Sequence, residues 1–428
     1  MNYQQAVVYL GQLEKFGIKL GLEQTAELFR RADSPERQLK FIHLAGTNGK
    51  GSCAAMLESA LRHCGFKTGL YTSPHLISPC ERIRINGCAV SETEYAAAVS
   101  RLKLEAEAMN EAGKYPTYFE FTTVMAAQVF AAAQVDFVIW ETGMGGRFDS
   151  TNVVEPICCA ITGIALDHQK YLGTDIATIA KEKAGIIKAG KPVFCGKMPA
   201  EAAAVVTAVA TRLAAPLKWC EGDISEIKFE LKGDTFKQSF SYQDHQIHLG
   251  LPGIMQRCNF KVVFEILKYL SAKFDFRLET ALDGLRRTRW PARLQFFPDG
   301  SILDGAHNPD GAAALVESLN EILPFEKFSV IMANFTDKDT VGVMRQLDRI
   351  AAEFIFVPLH VGDRNGYTPE SLLKMLHEFS DTPARTVLSL QEALTVPCLK
   401  RKLIAGSLFL AGETLPSFYP AEQILNLN

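Results

Sequence analysis

A chain of 428 residues, 47% of them hydrophobic, is long enough for two or three domains with sizeable cores, which excludes intrinsic disorder over most of its length. With 45 Lys+Arg against 48 Asp+Glu the formal charge is −3, so no basic excess is available to hold a polynucleotide and no nucleic-acid partner is expected. Ten cysteines without a CxxC pair fit a reducing cytoplasm, and neither a signal-type apolar segment at the N-terminus nor a run of about 18 apolar residues argues for secretion or a membrane.

Short apolar runs ending in Gly or polar residues alternate with longer helical patterns, the signature of an α/β fold with crossover helices. In chain order the strand-like runs are "KFIHLAG" (40–46), "VDFVIWETG" (135–143), "PICCAITGIALDH" (156–168) and "KPVFCG" (191–196). Residues 226–248, rich in Lys, Gln, Asp and His with partial alternation, predict a few antiparallel strands at the edge of the first domain. A helix-period segment follows at 260–274, and then "LRRTRWPARL" (285–294), where Pro291 and clustered Arg interrupt the periodicity. That break places the domain boundary between 288 and 289. A second series of strands is expected at 301–307, 328–335, 354–360 and 402–407. Continuous apolar runs suit strands covered on both faces, so mostly parallel sheets are predicted. Adjacent Cys158 and Cys159 lie inside such a run and read as small hydrophobes.

The segment after the first run carries the chemistry. Gly46, Thr47, Asn48, Gly49, Lys50, Gly51 and Ser52 lead directly into a helical pattern whose apolar positions Cys53, Met56, Leu57, Ala60, Leu61 and Cys64 recur every three to four residues. Three glycines let backbone N–H groups converge on an anion, and the start of the helix adds its positive dipole end. Lys50 is placed to neutralise phosphate charge and Ser52 to ligate Mg²⁺. The generic phosphate-loop pattern is not matched, because Leu44 takes the first glycine position and Gly51 separates Lys50 from Ser52. Glu141 ends the apolar run "VDFVIW", where a parallel sheet presents active-site carboxylates, and His168 follows the run beginning at 156. Read alone, Glu141 is as well explained as a surface carboxylate and His168 as a hydrogen-bonded histidine. "DGAHNP" (304–309) reads locally as a helix-capping turn.

A more specific signal is the form of the loop itself. "GTNGKGS" resembles the loop of the folylpolyglutamate synthase/dihydrofolate synthase family, which lies within the wider group of ATP-dependent amide ligases that includes the Mur ligases. "YTSPHL" (71–76), "ERIRING" (81–87), "FEFTT" (119–123), "ETGMGGRFDSTN" (141–152), "LDHQKYLG" (166–173), "EKAGIIK" (182–188), "RWPARL" (289–294), "DGAHNP" (304–309), "TDKD" (336–339) and "GS" (406–407) follow in family order, so the likeness spans nearly the whole chain.

This resemblance implies an N-terminal P-loop-type parallel-sheet ATPase domain (1–288), a smaller C-terminal α/β domain (289–428) and an active site in the cleft between them. It also implies ATP and Mg²⁺, the metal held by Thr72 or Ser73, by Glu141 and by His168. An N-carboxylated lysine is implied in the block where this chain has Lys183; an ammonium beside Mg²⁺ would repel it, whereas a carbamate supplies an anionic oxygen. Arg293, Asp304 and His307 are implied to reach the nucleotide. A further family block supplies an Asn to the nucleotide, for which "LPGIMQRCNF" offers Gln256 and Asn259. Family members usually carry glycine where this chain has Ala292.

The implied reaction is ATP-dependent addition of L-glutamate to folate and to dihydropteroate through an acyl phosphate, by a monomeric enzyme with no protein nucleophile. Two competing readings are weaker. A Mur-type ligase would be expected to carry a nucleotide-sugar domain before the loop, and 45 residues precede Gly46. A GTPase-like switch would be expected to carry an Asn-Lys-x-Asp element, and "TDKD" is not one.

Overall fold

The computed structural model describes residues 1–17, 21–233, 235–361 and 364–427. They form two compact units that are not separated at one point in the chain: the first comprises Met1–Glu221 and Asn259–Gly284, the second Gly222–Cys258 and Leu285–Leu427.

The first unit is built on eight strands: β1 (Phe41–Ala45), β2 (Thr68–Tyr71), β3 (Ile83–Ile85), β4 (Cys88–Ala89), β5 (Phe137–Glu141), β6 (Pro156–Ile161), β7 (Val193–Cys195) and β8 (Leu217–Trp219). Their order is β4-β3-β2-β5-β1-β6-β7-β8, parallel from β2 to β8, with β3 and β4 antiparallel at one edge. β1 is buried at all five positions between β5 and β6, four of them apolar and the central one His43. Because the chain leaves β1 for β2 on one side and joins β6 on the other, the carboxyl end of β1 is a switch point, the place where open α/β sheets bind ligands. Register makes that end level: Leu44 pairs with Glu141 and Ala45 with Ile161, so Gly46, Thr142 and Thr162 leave the sheet together.

Apolar clusters hold this sheet. One gathers Phe41, Tyr71, Val138 and Trp140 with residues of the helices Glu92–Glu111 and Tyr118–Ala132; another gathers Ala45, Cys159, Ile161, Val193 and Cys195 with those of Ile176–Ala184 and Ala200–Arg212. Cys158 and Cys159 are fully buried and unbridged, the small-hydrophobe role expected of them. Glu120, within the "FEFTT" block, has a local task. Its carboxylate accepts from Thr117 N at 2.7 Å while Thr117 Oγ1 accepts from Glu120 N at 3.3 Å, a reciprocal cap that starts the helix Tyr118–Ala132.

The second unit contains a six-stranded sheet in the order Gln295–Phe296, Ile302–Leu303, Arg401–Ala405, Phe328–Met332, Ala351–Phe356 and Ala384–Thr386, parallel except for its first pair. It also contains a three-stranded antiparallel sheet, Ile224–Lys232, Thr235–Tyr242 and His245–Leu249, and a two-stranded pair, His360–Val361 with Arg364–Asn365.

Two expectations change here. The antiparallel strands of 226–248 group with the second unit, not with the edge of the first. Phe236 stacks on Phe296 at 5.2 Å and 11°, inside the core formed by Leu315, Val330, Phe354 and Leu403, and that side-chain choice is invisible to a periodicity count. The run at 156–168 is a strand only to Ile161, and its last residues form the loop that carries Thr162 and His168.

Candidate nucleotide and metal site

The glycine turn is held by its neighbours through almost every carbonyl it has. Thr162 Oγ1 donates to Asn48 O at 2.6 Å, and Thr47 N donates to Gly163 O at 2.8 Å. Thr47 Oγ1 both donates to Ala165 O (3.0 Å) and accepts from Ala165 N (3.1 Å). Gly46 O accepts from two lysines, Lys50 Nζ and Lys183 Nζ, each at 2.9 Å. With these carbonyls turned onto lysine and threonine side chains, the backbone N–H groups at the start of the helix Lys50–His63 remain for an anion.

Two of the glycines are required by geometry. Gly46 has φ +156°, and a Cβ there would overlap Thr162 Oγ1. Gly49, the residue capping the helix, has φ +89°, and its Cβ would overlap the Asn259 side-chain oxygen. Asn259, 4% exposed on the helix Ile254–Ser271, is thus brought to the turn itself, whereas Gln256 is buried one helical turn earlier.

Two lysines on one carbonyl make an unusual electrostatic neighbourhood. Lys183 is 3% exposed at the end of the helix Ile176–Ala184. Burial, and next the positive charge of Lys50, pull its ammonium down to about 7, against the opposing pull of Asp167 and Asp149. Both effects favour the neutral amine over the ammonium. Asp149 is raised by burial although it accepts from Met144 N (2.8 Å) and Thr151 N (3.0 Å), and so pins the "GMGGR" turn that follows β5.

Of the expected metal ligands, Glu141 is 5% exposed and its Oε2 accepts from Ser73 N at 3.2 Å, which joins the end of β5 to the Thr72–Ser73 segment after β2. Thr72 and Ser52 are both buried. His168 lies in the left-handed region (φ 50°, ψ 35°); its N–H donates to Asp167 Oδ1 at 2.7 Å, and its Nε2 stands 3.9 Å from Asp167 Oδ2. Among the described residues no group of three or more His, Cys, Asp and Glu side chains is placed to share a metal. The donors at hand, one carboxylate with the hydroxyls of Ser52, Thr72 and Ser73, are hard oxygens, the chemistry that Mg²⁺ takes alongside nucleotide phosphates.

In the second unit, Asp304 directly follows the strand Ile302–Leu303 and is used by its own loop. One oxygen accepts from Leu294 N at 2.7 Å and the other from Ala306 N at 2.8 Å, while burial raises its pKa against the opposing pull of Arg293. Gly305 N donates to Ala292 O at 2.9 Å, Arg293 Nη1 donates to the same carbonyl at 3.1 Å, and His307 Nδ1 lies 3.0 Å from Gly305 O. Arg293, Asp304 and His307 are therefore one cluster. Ala292 has φ +58° and Leu294 φ +45°, so the chain passes twice through the left-handed region around Arg293, which explains why glycine suits position 292. Asn308 does act as the expected cap, accepting from Gly311 N at 2.8 Å.

The sequence reading missed Thr162, Ala165, Asp149 and Asp167. The first two act through a hydroxyl or backbone at a strand end and carry no spacing signature; the acidic pair falls inside recognised blocks, where a role could have been sought.

A parallel sheet with a glycine turn at its switch point, two lysines on that turn and hard oxygen donors beside it define a nucleoside-triphosphate-binding α/β protein. No protein-family model matches the chain. It is 36% identical over 391 residues to the dihydrofolate synthase/folylpolyglutamate synthase of Bacillus subtilis, covering 89% of each chain. Its fold matches a Mycobacterium tuberculosis folylpolyglutamate synthase complexed with ADP and AMPPCP with a TM-score of 0.86, 28% identity and coverage of 98% and 99%. A bifunctional folylpolyglutamate synthase/dihydrofolate synthase from Yersinia pestis, complexed with AMPPNP and Mn ion, matches with a TM-score of 0.80, 29% identity and coverage of 97% and 98%. The chain belongs to the folylpolyglutamate synthase/dihydrofolate synthase family. Among the described residues no helix is long and apolar enough to cross a membrane.

Proposed function

We propose that this protein is an ATP-dependent ligase that joins the amino group of L-glutamate to the carboxylate of a folate, and to that of dihydropteroate. The observation that carries the reading is the turn at 46–49, whose carbonyls are engaged by Lys50, Lys183 and Thr162, in a chain of this family. A carboxylate oxygen of the pterin-linked acid attacks the γ-phosphorus of ATP, the bond to the bridging oxygen breaks, and ADP leaves. The amine of glutamate then adds to the acyl phosphate carbon; inorganic phosphate departs and the amine proton is lost.

The turn's N–H groups hold the phosphates, and Lys50, in leaving Gly46 O, follows the charge that moves to the bridging oxygen. We assign to Arg293 the task of spreading charge on the phosphoryl group, with Asp304 fixing the backbone on which Arg293 sits and His307 beside it; Asn259 contacts the nucleotide. Mg²⁺, taken by Glu141, Thr72 or Ser73, Ser52 and His168, supplies charge neutralisation of the phosphates when bound. Lys183 is proposed to be carboxylated: its burial and its proximity to Lys50 disfavour the ammonium, and the carbamate would add an anionic oxygen to the donor set. Division of labour between the two units, a monomeric state and a cytoplasmic location complete the proposal.

The test is a substrate panel: dihydropteroate, tetrahydrofolate and its one-carbon derivatives, each with ATP and labelled glutamate, products separated by tail length. Glutamylated product and glutamate-dependent ADP release are expected with dihydropteroate and with at least one reduced folate. ADP release indifferent to both co-substrates would instead mark a nucleotide-binding switch.

A further inference from the structure

A backbone loop binds an anion only if its N–H groups face inward and its carbonyls face away, because one carbonyl turned toward phosphate replaces attraction by repulsion. In this turn Gly46 O is directed by lysines and Thr47 is clasped to Ala165, while the carbonyl of Asn48, next to the start of the helix, accepts from Thr162 Oγ1 at 2.6 Å. Thr162 is 8% exposed and stands one residue past the end of β6, level with Gly46 because Ala45 pairs with Ile161. Its hydroxyl also reaches Ala45 O at 3.4 Å and fills the space that a side chain on Gly46 would need. A threonine has one hydroxyl hydrogen, and the shorter bond takes it to Asn48 O.

We infer that Thr162 is a positioning residue for nucleotide binding, its hydroxyl holding the Asn48 peptide in the orientation that presents the adjoining N–H groups to phosphate. The inference rests on the proposed ATP-dependent reaction and adds to it a residue 114 positions from Asn48 in sequence. It also gives Gly46 a reason beyond its φ: any larger residue displaces this hydroxyl.

The experiment compares Thr162→Val, which keeps shape and removes the donor, with Thr162→Ser, which keeps the donor. ADP dissociation constants are measured by calorimetry, and KM for ATP and glutamate with kcat by ADP release under saturating co-substrates. Thr162→Val is expected to weaken ADP binding and raise KM for ATP by roughly tenfold or more, the effect of removing the hydroxyl that orients this part-buried carbonyl. KM for glutamate should stay within about threefold of the parent, and Thr162→Ser should return both nucleotide constants to within about threefold. Should Thr162→Val fail to fold, Thr162→Ala against Thr162→Ser reads the same contrast. Parental ADP affinity in the variant lacking the hydroxyl, or a serine variant as impaired as valine, overturns the inference. Failure of the unmodified protein to bind ADP would count instead against the ligase reading.

Discussion

His43 sits in the middle of β1, fully buried, and its behaviour in acid can be worked out from its partners. Its Nε2 lies 2.9 Å from Thr151 Oγ1, and that hydroxyl spends its only hydrogen on Asp149 Oδ1, so Nε2 carries the imidazole proton and donates. Among the described residues Nδ1 has no partner, and it is therefore a bare lone pair in the core. Protonating it would place a charge and an unsatisfied N–H there. Burial, and after it the charge of Lys188, accordingly hold the histidine down at about 3. The folded-state pKa lies below the unfolded value of about 6.5, so the unfolded chain takes up the proton first. Stability is unaffected above about pH 6.5 and falls as pH drops toward 3, at about 1.4 kcal/mol per unit, which amounts to about 3 kcal/mol by pH 4. His43→Leu removes this term while Thr151 keeps its bond to Asp149. Urea unfolding followed by tryptophan fluorescence should place variant and parent within about 1 kcal/mol of each other at pH 8. At pH 4 the variant should be the more stable by about 2–3 kcal/mol. His75, also lowered to about 3 by burial, titrates in both proteins and cancels in the comparison. Parallel pH profiles for the two proteins would refute the reasoning.

Lys183→Ala should abolish turnover and be partly rescued by formate or acetate, which return a carboxylate to the space the side chain leaves; full activity without additives removes the carbamate. Gly49→Ala should cost about 1–2 kcal/mol from its left-handed φ alone, plus the overlap with Asn259. Adding Asn259→Ala relieves only the overlap, so a double variant that recovers full stability in urea would show that backbone strain is absent. At position 292 the relief of left-handed strain, about 1–2 kcal/mol, is offset by loss of a buried methyl, about 0.8 kcal/mol, and by added unfolded-chain entropy. Ala292→Gly should thus leave Tm within a few degrees while Ala292→Val lowers it, and equal Tm values for the two would contradict the assigned conformation.

Much of the site was legible in the chain because a phosphate turn is a local device. A strand, three glycines, a lysine and a helix lie contiguous in sequence, and the identity of each residue follows from what the backbone must do there. The runs that became β1, β5, β6 and β7 were legible for the same reason, being buried on both faces. The strands Thr68–Tyr71, Ile83–Ile85 and Leu217–Trp219 were not, since Thr68 and Gly69, Arg84 and Lys218 interrupt them and leave no apolar run to mark a strand.

What tertiary structure decided is which distant groups meet. Thr162 reaches Asn48 across 114 positions, and Lys183 reaches the Gly46 carbonyl across 137. The sheet order sets β1 between β5 and β6, and the pairing of Ala45 with Ile161 brings Thr162 level with the turn. Sequence names a lysine; only the folded chain buries it beside a second positive charge and so changes what its nitrogen can do.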